Sequence, residues 1–357
     1  MIPSNFCSRA FNEINFDVNG TISPCCVIRG KKYESVDDFL NSDYLRSIQT
    51  DLNNNIQTKE CNSCWNLEKI GAWSNRLHEP SRDHIDGSHL KFSNVCNFKC
   101  RMCNSYCSSA IGIEEGIKNP VVSTFSNPKI KKYFYKKLLP NLKLINISGG
   151  EPLLCDDHLE FLQVAYLINP KVKLAYNSNM SITSYRGVEF SSLWKKYEKV
   201  SITASIDGYK ESQDYQRFGS VWNKIENNLI IFKDYVKDIH CTLTIYNIFH
   251  IPKLIKWCID NNFIIRFYYV GQLAESPLTL PESEKQKVMN EFKSLKNLSE
   301  DLSKEIRDSL LKPLQKTPGN LQNLNLQFKS KTERLDNLRN QSFIKINPQF
   351  KDWYERI

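Results

Sequence analysis

Residues 88–103 read SHLKFSNVCNFKCRMC, and this stretch decides how the rest of the chain is understood. A short apolar run, His89–Ser93, leads directly into three cysteines at the spacing C-x3-C-x2-C: Cys96, Cys100 and Cys103. Three thiolates hold three irons of a cubane and leave the fourth iron without a protein ligand. An open coordination position is what catalysis at a metal requires. A structural zinc ion instead wants four ligands and favours paired C-x2-C knuckles; Cys107 is the candidate fourth ligand in that case.

Outward from the triad the chain alternates strand-like and helical segments. The expected strands are His89–Ser93, Leu142–Ile147, Val172–Tyr176, Val200–Ile206, Cys241–Tyr246 and Ile264–Val270. Each is short, rich in β-branched or aromatic residues and bounded by turn residues. Helical patterns fall between them at Leu153–Ile168, Trp222–Tyr235 and Pro252–Asn261. Pro152 and Pro252 sit at helix starts, where a missing N–H costs nothing. Six β-then-α units in series predict a parallel sheet with right-handed crossovers, hence an α/β fold. Six fall short of a closed eight-fold barrel, so a partial (β/α)6 barrel of TIM type is expected over residues 88–280.

The flanks differ. Residues 1–80 are short segments punctuated by Asn, Gly and Ser, with five cysteines, and so small a unit needs a metal staple. Residues 281–357 are charged and helix-prone to about Leu311; Pro313, Pro318 and Gly319 then interrupt, and a polar tail ends in FKDWYERI. With 41% hydrophobic and 24% charged residues the chain is a globular protein, not a disordered or fibrous one. No apolar run reaches the roughly 18 residues a membrane span needs. The N-terminus, MIPSNFCSRAFNEINF, lacks the layout of a signal peptide, so the cytoplasm is expected. There disulfides do not persist, and clustered cysteines among a total of twelve point to metal or redox chemistry. Cys155, Cys241 and Cys258 stand alone in apolar segments and read as buried core thiols. The net charge of +9 is spread over short lysine pairs, mostly solvated, with RNA or an anionic peptide as the partner it would favour.

The triad spacing resembles the radical S-adenosylmethionine (SAM) superfamily, and further matches follow in order. Ser148-Gly149-Gly150-Glu151-Pro152 is similar to the GGEP motif, where backbone meets the SAM amino group. Asn177-Ser178-Asn179-Met180 resembles the ribose-contacting NTNG stretch, with Met180 in place of glycine. Ser205-Ile206-Asp207-Gly208, then Asp214-Tyr215-Gln216-Arg217, resembles the SxDG…HDxxR pattern of the peptide- and protein-modifying branch, with Gln213 where that pattern has His. The resemblance implies a 4Fe–4S cluster on Cys96, Cys100 and Cys103. It also implies SAM contacts from Gly149, Gly150, Glu151, Ser178, Asn179 and Ser205, and pairing of Arg217 with the SAM carboxylate.

Cys7-x12-Gly20-x4-Cys25, with a C-x2-C pair at Cys61 and Cys64, resembles the opening of the SPASM/twitch auxiliary-cluster signature, here ahead of the barrel. Asn19-Gly20 is a strong hairpin signal that would bring Cys7 and Cys25 together. Cys61 and Cys64 then complete four ligands, Cys26 being the alternate to Cys25 and zinc the alternate metal. The implied activity is reductive cleavage of SAM and hydrogen abstraction from a peptide, protein or small molecule. The electron comes from a donor such as flavodoxin or ferredoxin. An RNA-modifying enzyme and a non-catalytic iron–sulfur or zinc interaction module are the other readings.

Overall fold

The protein, here a computed structural model, is described at residues 5–69, 74, 76–77, 85–296 and 298–357. Of the expected 1–80 unit, residues 1–4, 70–73, 75 and 78–80 lie outside the described residues.

Eight strands form one sheet: β1 Glu13–Phe16, β2 Ile22–Ser23, β3 Gly87–Lys91, β4 Leu144–Ser148, β5 Lys173–Ser178, β6 Lys199–Ser205, β7 Val236–Leu243 and β8 Ile265–Tyr269. In space they run β8-β7-β6-β5-β4-β3-β1-β2. Every neighbouring pair is parallel except the β1–β2 hairpin. Helices α1 Asp43–Asn53 and α2 Asn62–Lys69 follow the hairpin. In the barrel, α3 Asp156–Ile168, α4 Trp222–Ile231 and α5 Ile251–Asp260 are the longest connections, and α6 Leu321–Arg339 lies in the C-terminal arm. The six predicted strands are all present, each within a few residues of its expected place except β7.

The two sheet faces differ in chemistry because strand residues alternate sides. Ile145 and Ile147 of β4, like Ile202 and Ala204 of β6, are fully buried. They pack with apolar stripes such as Leu254, Ile255 and Cys258 of α5 in one core. The opposite face is polar and partly open: Asn146 and Ser148, Thr203 and Ser205, His240 and Thr242. It forms the inner wall of the barrel. Cys155, Cys241 and Cys258 are buried in the core, as their apolar surroundings predict.

The structure corrects one expectation and adds to two others. β7 starts five residues before Cys241 and stops at Leu243, because Asn247 captures the chain beyond it. The Asn247 Oδ1 accepts the Thr244 N–H at 2.8 Å, and its Nδ2 donates to the carbonyls of Asp207 at 2.7 Å and Thr242 at 2.8 Å. Buried Ile245 and Tyr246 imitate strand residues but belong to the turn. Second, the N-terminal hairpin joins the barrel sheet: β1 pairs with β3, Glu13 opposite Gly87 and Phe16 opposite Leu90. Third, the polar tail is folded. Its aromatics are spaced among polar residues, yet Phe343, Phe350 and Trp353 are buried in the same core as the barrel, with Phe328 of α6 and Tyr246. Among the described residues no helix is long and apolar enough to cross a membrane.

Candidate active site

At the carboxyl ends of β3 to β6 lies a cavity of about 240 Å³. The three triad thiols, Cys96, Cys100 and Cys103, line it. They arrive on the loop that follows β3, and Lys99–Cys100 forms a two-residue antiparallel ladder with Arg217–Phe218, Cys100 opposite Arg217. Ligand loop and guanidinium are thereby joined through backbone pairing. Among the predicted SAM contacts, Gly149, Gly150, Asn179, Ser205 and Arg217 line the same cavity.

Glu151 and Ser178 do not line it. The Glu151 carboxylate is buried and accepts from the Leu153 N–H at 3.2 Å, the Ser178 hydroxyl at 2.9 Å and the Asn179 N–H at 2.7 Å. It holds the turn after β5 in place, and Asn179 is the residue that turn presents to the cavity. Burial pushes the Glu151 carboxyl up to about 7, although the three donors favour its charged form. Met180 takes φ +59°, the left-handed backbone that glycine would adopt most readily, while its side chain is fully buried. The turn therefore survives the departure from the motif.

The glycine pair also packs tightly against the chain's own backbone. A Cβ on Gly150 would stand 2.1 Å from the Val95 carbonyl oxygen, and one on Gly149, at φ +128°, 2.5 Å from that of Ser93. The Gly150 N–H donates to Ser93 O at 2.9 Å and the Glu151 N–H to Val95 O at 2.7 Å. These bonds lock the turn after β4 onto the backbone immediately before Cys96.

Arg217 is buried and its Nε lies 2.6 Å from Asp207 Oδ2, with Nη1 3.8 Å from Cys100 Sγ. The aspartate and arginine of the fourth motif are therefore one ion pair. Gln213 replaces the expected histidine as a cap: its Oε1 accepts the N–H groups of Asp207 at 2.8 Å and Gly208 at 3.1 Å. Sequence reasoning missed Ser148, Asn177, Phe98, Met102 and Ser108 as lining residues. The first two open the quoted motifs without having been assigned a contact; the others carry no chemical signal of their own. Cys107 also lines the cavity, hydrogen-bonded to the Cys103 thiol.

Burial pushes the Cys96 thiol up to about 12 and raises Cys100 as well, against the pull of Arg217. Among the described residues no three His, Cys, Asp or Glu side chains converge on a single ion. The triad thiols line a cavity instead, with the Arg217 guanidinium beside Cys100 and small polar groups completing the lining. That donor set fits a cubane whose open iron faces a polar ligand.

In the N-terminal region, Gly20 takes φ +75° and turns the hairpin as predicted. Cys7, Cys25 and Cys61 share a small buried cluster with Trp65, and Cys64 is buried beside them. Cys7 lies within electrostatic range of Cys25, Cys61 and Cys64. Burial raises the Cys26 thiol, whose charged neighbours are Arg9, Glu13 and Lys91, and Cys26 lies within electrostatic range of Cys25.

Residues 90–258 match the model of the Radical SAM superfamily. The chain is 26% identical over 194 residues to a GTP 3',8-cyclase of Vibrio parahaemolyticus, covering 52% of this chain and 54% of that protein. It is 24% identical over 216 residues to a GTP 3',8-cyclase of Mannheimia succiniciproducens, covering 58% of this chain and 60% of the relative. The match thus spans little more than half of each relative. The solved structure of Streptococcus suis SuiB bound to S-adenosylmethionine is similar at a TM-score of 0.38 and 12% identity, over 81% of this chain and 68% of that one, and adds no weight at that score. On the family match and the named relatives, residues 90–258 are similar to the Radical SAM superfamily, and an enzyme of that type is what the likeness supports.

Proposed function

We propose that the protein binds a 4Fe–4S cluster through Cys96, Cys100 and Cys103, holds SAM against it, and uses it to abstract hydrogen from a substrate in the cytoplasm. The observation that carries this reading is the meeting of three thiols and the Arg217 guanidinium around one cavity at the carboxyl ends of the parallel strands. When bound, cluster and SAM supply one-electron reductive cleavage to methionine and a 5′-deoxyadenosyl radical. The chain's own residues do the positioning. Arg217, always charged, offers its planar fork to the SAM carboxylate while Asp207 fixes its orientation. Gly149 and Gly150 present backbone to the SAM amino group, and Asn179 and Ser205 face the ribose side. Glu151 and Ser178 act through Asn179.

The substrate, in this reading a peptide or protein, enters along the polar inner face where His240 and Thr242 adjoin Ser205. An electron donor such as flavodoxin or ferredoxin reduces the cluster. Cys7, Cys25, Cys61 and Cys64 hold a second, twitch-like cluster, for which the support is their common burial around Cys7. Residues 1–80, 88–280 and 281–357 then correspond to auxiliary module, catalytic barrel and C-terminal extension.

Anaerobically reconstituted protein with a strong reductant is expected to turn SAM into 5′-deoxyadenosine. Changing Cys96, Cys100 and Cys103 together to Ala should abolish this and remove about one cubane's worth of iron. Undiminished turnover in the triple variant ends the reading. The relatives' name raises a nucleotide as the substrate instead; protein-stimulated SAM cleavage that responds to GTP and to no peptide would favour it.

A further inference from the structure

Arg101 lies between two of the triad cysteines, and it is 1% exposed. A guanidinium is costly to bury unless it is paired and hydrogen-bonded. Its Nε donates to the Tyr215 carbonyl at 3.0 Å, and its plane stacks 3.7 Å from the Tyr215 ring. The rest of its satisfaction comes from far along the chain. Nη2 donates to Asp336 Oδ1 at 2.5 Å and to Gln341 Oε1 at 2.8 Å. Asp336 belongs to α6, and it also accepts the Tyr215 hydroxyl at 2.9 Å and the Phe343 N–H at 2.6 Å. One carboxylate therefore grips the ligand loop at Arg101 and, through Tyr215, the segment that carries Arg217 two residues later.

One turn along the same helix, Arg339 makes a bidentate pair with Glu114, at 3.2 Å and 2.7 Å. Glu114 also pairs with Lys99 at 3.3 Å, and the Arg339 guanidinium lies 5.1 Å from the Phe218 ring. Residues three apart share a helix face. That face reaches both strands of the Lys99–Cys100 and Arg217–Phe218 ladder, the small piece of structure that sets the spacing of thiol and guanidinium.

We propose that α6 braces the SAM site from outside the cavity, with Asp336 and Arg339 as positioning residues that fix the Cys100–Cys103 loop relative to Arg217. The inference rests on the triad holding a cluster that binds SAM. Asp336 carries the larger share, because its loss leaves a buried guanidinium unpaired inside the ligand loop. Through the ladder, a loop displaced in this way changes the geometry at the open iron and the reach of Arg217 together.

The test uses anaerobically reconstituted full-length protein and SAM itself as the probe. Asp336→Asn is expected to keep the wild-type iron content, to weaken SAM binding about tenfold, and to alter the change in the reduced cluster's EPR signal on adding SAM. Asp336→Glu, which restores the charge one methylene away, should recover part of the affinity. Arg101→Gln combined with Asp336→Asn should be no worse than Asp336→Asn alone, because the two act as one unit. If Asp336→Asn does not fold, Gln341→Ala removes only a neutral contact to the same guanidinium and should weaken SAM binding about two- to threefold. A folded variant with unchanged SAM affinity and an unchanged SAM-dependent EPR signal overturns the proposal, as do additive effects of Arg101 and Asp336. Wild-type protein that binds no cubane, or one that SAM does not perturb, overturns the underlying reading instead.

Discussion

Arg217 shows how a residue legible in the sequence acquires a second duty in the fold. By its motif position it is proposed as the cation for the SAM carboxylate, but Asp207 of the same motif is already its buried partner. Arg217→Ala should therefore cost about 3–5 kcal/mol of stability by stranding the Asp207 charge. SAM affinity should fall by roughly 2–5 kcal/mol besides. Asp207→Asn in the same chain should relieve the first loss and not the second, which urea unfolding and SAM titration read separately. If Arg217→Ala alone leaves stability untouched, the pair is not the support described. Glu151 gives a pH-dependent version of the same logic. Its carboxyl, pushed up by burial to about 7, is deprotonated above that value and accepts two N–H groups and a hydroxyl. As pH falls through 7 a proton occupies one of those oxygens and an acceptor for the Asn179 turn is lost, although the raised value means the fold as a whole favours the protonated carboxyl. SAM affinity should thus weaken below about pH 7, and the inflection should vanish in Glu151→Gln, which is weaker throughout. A wild-type affinity flat from pH 6 to about 8 would contradict this.

Turns and ladders were harder to see than strands, for a physical reason. Strand periodicity is written in side chains, so the sequence predicts β3 to β6 within a few residues of their observed bounds. The end of β7 depends on one amide, Asn247, whose partners Asp207 and Thr242 are distant or unremarkable in sequence. The glycine pair was visible, yet its partner is the chain's own backbone at Ser93 and Val95, which no local pattern announces. Gly150→Ala should make the turn after β4 part from the loop before Cys96, because the two cannot share 2.1 Å. The expected cost is about 3 kcal/mol or more, with lower iron retention by the triad. Gly271→Ala, where a Cβ meets nothing within 4 Å, is the control and should stay within about 0.5 kcal/mol. Equal stabilities of the two variants would refute the locking role. The C-terminal arm was the least legible element. Its four aromatics at 343–354 are diluted by polar residues, and only tertiary packing against Phe328 and Tyr246 gives them a core.

At the scale of the molecule, one sheet joins the two cysteine sites. The β1–β2 hairpin extends the barrel sheet through β3, while Ile48 and Leu52 of α1 and Trp65 of α2 pack around Cys7, Cys25 and Cys61. The Cys61 thiol, like that of Cys96, is pushed up by burial to about 12. In the unfolded chain such thiols titrate near 9, so a metal-free fold favours the protonated form. This contribution is fully present below pH 9 and is lost as pH rises through 12, at no more than about 1.4 kcal/mol per thiol per pH unit. Metal reverses the sign. Bound thiolates have already given up their protons, so folding with metal releases protons and is favoured by higher pH. Chelated protein should therefore lose thermal stability steeply between about pH 9 and 11, while the reconstituted protein should not. Cys61→Ala with Cys64→Ala removes the Cys61 thiol, whose burial contributes to this slope. Without metal it should flatten the decline, and after reconstitution it should leave residues before 85 open to protease while the triad keeps its iron. Calorimetry across that pH range, followed by limited proteolysis, separates the cases. A chelated wild type as resistant at pH 10 as the reconstituted protein would show that the N-terminal thiols are core residues and not ligands.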